Sequence, residues 1–244
     1  MAPARSFWRR ALGWVLALSG LAALLSVCAA MSAVWLALRS EMGAMRVLAW
    51  VPGLTVVEPR GQFLGDFQAR RLEWRLPRGG RLVLLEPRWQ GLHLAWSDTA
   101  PWHVAVSMRS LQAQAADLNW VADPKPAPLV VPKDLALPVA VQIDALTLGR
   151  LSSNLWSGPP ITGLAMKVAL QQGPGSAVQH RLQWQGLMWQ GWVADGALEA
   201  QANGAMSIKG RLGIRHAQGQ GSLVLAGTVA APEVTGWVSM KPPA

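Results

Sequence analysis

The chain has 244 residues, 51% hydrophobic and 14% charged, with 22 basic against 13 acidic side chains and a net charge of +9. Its single cysteine, Cys28, leaves no disulfide framework and no thiolate metal site. Fourteen tryptophans without a tyrosine invite comparison with single-strand nucleic-acid platforms, but the bases are dispersed and form no stripe, so no nucleic-acid partner is expected.

Residues 1–10 carry Arg5, Arg9 and Arg10 and no acid, and from Ala11 to Leu38 no side chain is charged. As a helix the run extends roughly 42 Å at ~1.5 Å per residue, enough to cross a hydrocarbon core of about 30 Å with tilt. Trp14 and Trp35 would lie about 32 Å apart along it, the separation of the two interfacial belts. The run predicts a transmembrane helix over 11–38, with the basic tail 1–10 cytoplasmic and the bulk periplasmic in a bacterial inner membrane. A cleaved signal peptide is the rival reading, because Ala29, Ala30, Ser32 and Ala33 are small. Against it, the apolar run is about twice a signal-peptide core and continues through Trp35, Leu36 and Leu38. Leu25-Ser26-Val27-Cys28 has Val27 where a lipoprotein box carries a small residue.

Residues 39–53 predict a helical connector that Pro52-Gly53 stops. Beyond it the period changes to two. Leu72, Trp74 and Leu76 alternate with Arg71, Glu73 and Arg75, and the pattern returns in Leu92, Leu94 and Trp96, in Val104, Val106 and Met108, and in Val139, Val141 and Ile143. Further strands are expected near 161–171, 180–190, 195–202, 205–215, 221–231 and 234–240, divided by Gly- and Pro-containing breaks. Short connections favour antiparallel neighbours, so the expected fold is mainly β, a long antiparallel meander. Its first segment covers 54–122 and its second 139–244, with a Pro-rich linker over 123–138.

Nothing in the chain reads as catalytic machinery. His93, His103, His180 and His216 are scattered, without a metal-binding spacing, and no nucleophile elbow, phosphate loop or dinucleotide fingerprint is present. Glu73, Asp98, Asp117, Asp144 and Glu199 mostly alternate with apolar residues, as on a solvated strand face, and Arg70-Arg71 fits a polar sheet face. The expectation is a non-enzyme without cofactor or metal. The apolar strand positions admit two readings, a closed sandwich core or a curved sheet with an open apolar face for acyl chains, each buried methylene gaining about 0.8 kcal/mol.

The order of features resembles the start of the TamB family, the inner-membrane component of the translocation and assembly module within the AsmA-like group. The likeness lies in the anchor, Trp50-Val51-Pro52-Gly53-Leu54, the stretch from Gly61 to Trp74, Leu85-Glu86-Pro87-Arg88-Trp89-Gln90-Gly91-Leu92, and the segments 123–132 and 135–144. It covers the chain to about residue 150. The resemblance implies a periplasmic, taco-like β groove that moves phospholipid toward the outer membrane, helps assemble autotransporters and other outer-membrane proteins, and cooperates with the barrel protein TamA. In it, Leu72, Trp74, Leu76, Leu92, Leu94, Trp96, Val104, Val106, Met108, Val139, Val141 and Ile143 would line the lipid path, with Trp14 and Trp35 in the anchor. Family members are several times longer, and the portion that docks the outer-membrane partner is at their far end. Some dozen strands spaced ~4.8 Å apart give a groove of roughly 60 Å, short for a bridge across the periplasm, so the expectation is either an N-terminal fragment or a truncated member of the family. A structural component of a secretion machine, similar to the type II secretion N protein, is the alternative, because it too pairs one anchor with a β-rich periplasmic domain.

Overall fold

A computed structural model describes Ser32 and residues 39–76, 79–121, 134–173, 178–202 and 204–240. The run 11–38, with Trp14 and Trp35, lies outside the described residues apart from Ser32. Among the described residues no helix is long and apolar enough to cross a membrane.

The described part opens with α1 (Glu41–Trp50), capped by the Ser40 hydroxyl, which accepts from Gly43 N–H at 3.0 Å. Val51 turns extended ahead of Pro52 and ends the helix. Sixteen strands follow, all in one sheet. The first nine are β1 (Leu54–Val57), β2 (Arg60–Gly61), β3 (Phe67–Gln68), β4 (Arg71–Arg75), β5 (Arg81–Leu85), β6 (Arg88–Gln90), β7 (His93–Trp96), β8 (Val104–Met108) and β9 (Ser110–Asn119). After the Pro-rich stretch come β10 (Ala140–Ser153), β11 (Ile161–Gln172), β12 (Gln179–Trp189), β13 (Trp192–Gln201), β14 (Ile208–His216), β15 (Gly219–Gly227) and β16 (Pro232–Met240).

The main path runs β1-β4-β5-β9-β10 and then in chain order to β16, with β2, β3, β6, β7 and β8 extending the sheet alongside β9 and β10. From β10 onward every pairing is antiparallel with its sequence neighbour, as a meander predicts. The expectation of a purely antiparallel sheet is corrected at one place, where β8 and β9 both pair with β10 in parallel. A parallel return needs a crossover of a dozen or more residues, and the Pro-rich interval between Asn119 and Ala140 supplies that length. It therefore joins two halves of one continuous sheet.

Breaks line up across neighbouring strands. Glu58 (φ 51) precedes Pro59 between β1 and β2, and Glu86 (φ 48) precedes Pro87 between β5 and β6. Between them Arg70 N–H donates to the Val57 carbonyl and Glu86 N–H to the Arg70 carbonyl, both at 3.0 Å. The same line continues through Gln114 to Gly149, whose added Cβ would stand 2.6 Å from the Gln114 carbonyl oxygen, then to Gly163 and Gly186, both with positive φ. At each break the alternation resets: the residues on the core side are even in β4 and β5 (Leu72, Trp74, Leu82, Leu84), with Val83 of β5 buried on the other side opposite Glu73, but odd in β3 and β6 (Phe67, Trp89). Both sets stay on one side, since Leu54 and Val56, opposite Trp74 and Leu72, pack against the cluster that contains Phe67 and Trp89.

That cluster is the compact core: Ala44 and Leu48 of α1 with Leu64, Phe67, Ala69, Trp89 and Leu92. Phe67 and Trp89 stack at 4.0 Å between ring centroids, and Trp89 Nε1 donates to the Phe63 carbonyl at 3.0 Å. The core thus sits at the N-terminal end of the apolar face, under α1 and the loop that carries Phe63 and Leu64.

Candidate functional site

Cross-strand partners share a face, so registers trace the apolar side directly. Leu94 of β7 faces Val106, and Val106 faces Val141, while Trp96 faces Val104 and Met108 faces Ile143. From Ile143 one row proceeds through Val168, Leu182, Leu198, Gly210, Leu225 and Val234 to the last strand. With Met108 it crosses β8 and then β10 to β16, about 34 Å at ~4.8 Å per strand. A second row runs from Leu146 through Met166, Trp184, Gly196, Leu212 and Leu223. Gly196 is required there: any Cβ would run into the Trp184 indole, which lies over it.

Among the described residues no second sheet covers these rows, because all the described strands belong to one sheet. Beyond ladder neighbours, the substantial contacts between described elements are those of α1 with β1 and β2. Even so, Leu164 and Val168 are each only 9% exposed, and Leu182, Trp184, Leu198, Leu212 and Leu223 are half-buried. On the opposite face Arg181, Gln183, Lys209 and Arg211 are exposed. Apolar side chains that shelter one another while their polar neighbours splay outward are what a sheet bent toward its apolar side produces.

Nine of the twelve residues expected to line a lipid path lie on strands of this face. Leu72 and Trp74 are on β4, Leu94 and Trp96 on β7, Val104, Val106 and Met108 on β8, and Val141 and Ile143 on β10. Val139 falls in the bend just before β10. Two placements are corrected. Leu76 lies in the β4–β5 turn, where its N–H donates to the Gly80 carbonyl at 2.7 Å. Leu92 is buried in the core, its N–H held by the Gly65 carbonyl at 3.0 Å, so it lines no open surface. Sequence reading also missed the larger part of the face, on β11 to β15. Its signal was present in the alternation of Leu164, Met166, Val168 and Leu170 and of Leu182 and Trp184.

The polar face is laced with ion pairs. Arg181 meets Glu199 at 2.7 Å, and Arg215 pairs with Asp195, whose other oxygen accepts from Gly186 N–H at 2.9 Å in the β12 bulge. Glu73 receives Arg81 at 2.8 Å and Arg71 at 3.1 Å. The Arg81 hydrogen bond, with the positive charges of Arg81, Arg71 and Arg75 nearby, holds the Glu73 carboxyl below its ordinary value against partial desolvation. The same partnership raises Arg81.

Three of the four histidines make contacts within the fold. His180 accepts from Gln171 N–H at Nδ1 (3.2 Å) and reaches the Leu135 carbonyl through Nε2 (2.8 Å), which makes Nε2 the protonated nitrogen. His103 stacks on Trp96 at 4.8 Å and His216 on Trp192 at 4.8 Å, while His93 is exposed on β7. Among the described residues no group of three or more His, Cys, Asp and Glu side chains converges to hold a metal ion.

The fold and this surface define an open, single-sheet β protein with one apolar and one charged face. No protein-family model, curated protein or solved structure matches the chain.

Proposed function

We propose that this chain is an inner-membrane-anchored periplasmic β-groove protein of the TamB kind, whose apolar sheet face carries phospholipid acyl chains toward the outer membrane and which takes part in outer-membrane protein assembly. The observation that carries the reading is the continuous apolar face from β8 and β10 to β16, half-buried as far as β15, exposed on β16 and, among the described residues, covered by no second sheet. An acyl chain laid along it would bury methylenes at about 0.8 kcal/mol each while the headgroup stayed in water. The opposite face carries the Arg181–Glu199 and Arg215–Asp195 ion pairs. Bond-making chemistry has no part in this reading, and contact with TamA belongs to the full length of family members.

The test is phospholipid transfer from vesicles carrying the full chain to acceptor vesicles. Leu212→Arg places a charge in the middle of the apolar face and should slow transfer severalfold, whereas Gln220→Arg, on the exposed opposite face, should leave it unchanged. Melting curves of both variants establish that the sheet persists. Equal transfer by the two would remove the apolar face from the mechanism.

A further inference from the structure

We infer that α1 is an interfacial helix whose outward side lies in the headgroup layer of the bilayer that the uncharged run 11–38 enters. The inference rests on the reading of that run as a membrane anchor. Ala44 and Leu48 point inward and are buried in the core. The outward side is also apolar: Met45 is 48% and Trp50 80% exposed, and exposed Ala49 lies beside them. A helix apolar on two sides requires a second apolar contact, and among the described residues only the inner side has one.

Chain connectivity selects the occupant. Leu38, the last residue of the uncharged run, precedes Glu41 by three residues, which reach at most about 11 Å even when fully extended. The helix is therefore tethered within one headgroup layer of the point where the run leaves the hydrocarbon. Tryptophan prefers that layer, where its ring is in apolar surroundings and its N–H remains wet. Arg46, exposed on the same outward side, reaches lipid phosphate from a stem that lies along the apolar surface. Glu41 fixes the helix to the sheet by accepting from Gly61 N–H at 3.1 Å. Leu54, the first residue of β1, follows Trp50 by four residues, or at most about 14 Å, so the apolar face would begin at the membrane surface.

Environment-sensitive labels in the full chain, reconstituted in phosphatidylethanolamine–phosphatidylglycerol vesicles containing nitroxide-bearing phospholipid, test this. Cys28 reports the run, Met45→Cys in a Cys28→Ser background reports α1, and Ser239→Cys in the same background, on the face of the last strand opposite the apolar row, reports the far strand. Quenching at 28 and at 45, the latter at a depth of about 5–10 Å below the surface, with none at 239, is expected. Adding Arg46→Glu and Trp50→Ser should reduce quenching at 45 and leave that at 28 intact. Quenching at 28 without quenching at 45, or equal quenching at 45 and 239, would overturn the interfacial helix and leave the anchor standing. A silent Cys28 would overturn the anchor reading, and this inference with it.

Discussion

Gln171 is 3% exposed, has φ 58, and its amide closes a polar knot: it donates to the Thr99 carbonyl at 2.7 Å and accepts from Leu137 N–H at 3.1 Å. His180, bonded to the Gln171 N–H, ties the same knot to the Leu135 carbonyl. The knot pins the returning crossover and the β7–β8 loop to the end of β11, where the parallel ladder begins. Gln171→Leu leaves the Thr99 carbonyl and the Leu137 N–H without these partners and should cost about 1–3 kcal/mol in urea unfolding. Glu73 supplies a pH signature. Its folded pKa lies below the ordinary 4.5, so its contribution is complete above that value and is lost as pH falls through the lower folded one. Glu73→Gln should therefore flatten the acid side of the stability profile, measured by urea unfolding at successive pH values. None of this was visible in sequence, where Gln171 is one glutamine in a polar pair and the histidines have no motif; hydrogen bonds between segments as far apart as 99 and 171 follow from the fold alone.

The strands from β10 onward were legible because runs with a period of two recur along the chain, although bulges interrupt that period in β10, β11 and β12 and the turns at 217–218 and 228–231 contain neither Gly nor Pro. The parallel ladder was not, since alternation says nothing about direction and the crossover contains no helix-forming pattern to announce it. The line of breaks was hidden for a different reason. The even-to-odd resets at Glu58-Pro59 and Glu86-Pro87 look like strand ends in sequence, yet in the structure they lie side by side and keep Leu72 and Trp89 on one apolar side. Gly163 tests the line. Its φ is 68 and a Cβ would stand 2.9 Å from the Gly186 carbonyl oxygen, whereas Gly204, at φ 65, has nothing within 4 Å. Both Gly→Ala variants carry the left-handed penalty of about 1–2 kcal/mol, so Gly163→Ala should melt lower than Gly204→Ala by the added cost of the contact. Equal melting temperatures would show that the line gives way freely.

Across the whole molecule, the main path from β1 to β16 contains eleven strands and spans about 48 Å at ~4.8 Å per gap, somewhat shorter than the roughly 60 Å expected from the count of alternating segments. The difference arises because β2, β3, β6, β7 and β8 widen the sheet instead of lengthening it. A widened first half, capped by α1 and cored by Phe67 and Trp89, gives way to a second half whose apolar side is covered by no second sheet among the described residues. The central claim is that lipid occupies that side. Photo-crosslinkers placed singly at Leu182, Leu212 and Leu223, and at their opposite-face neighbours Gln183, Arg211 and Ser222, test it most directly in the membrane-embedded full chain. Phospholipid adducts at the three leucine positions and not at the other three are predicted; protein adducts alone, or lipid captured equally from both faces, would contradict it.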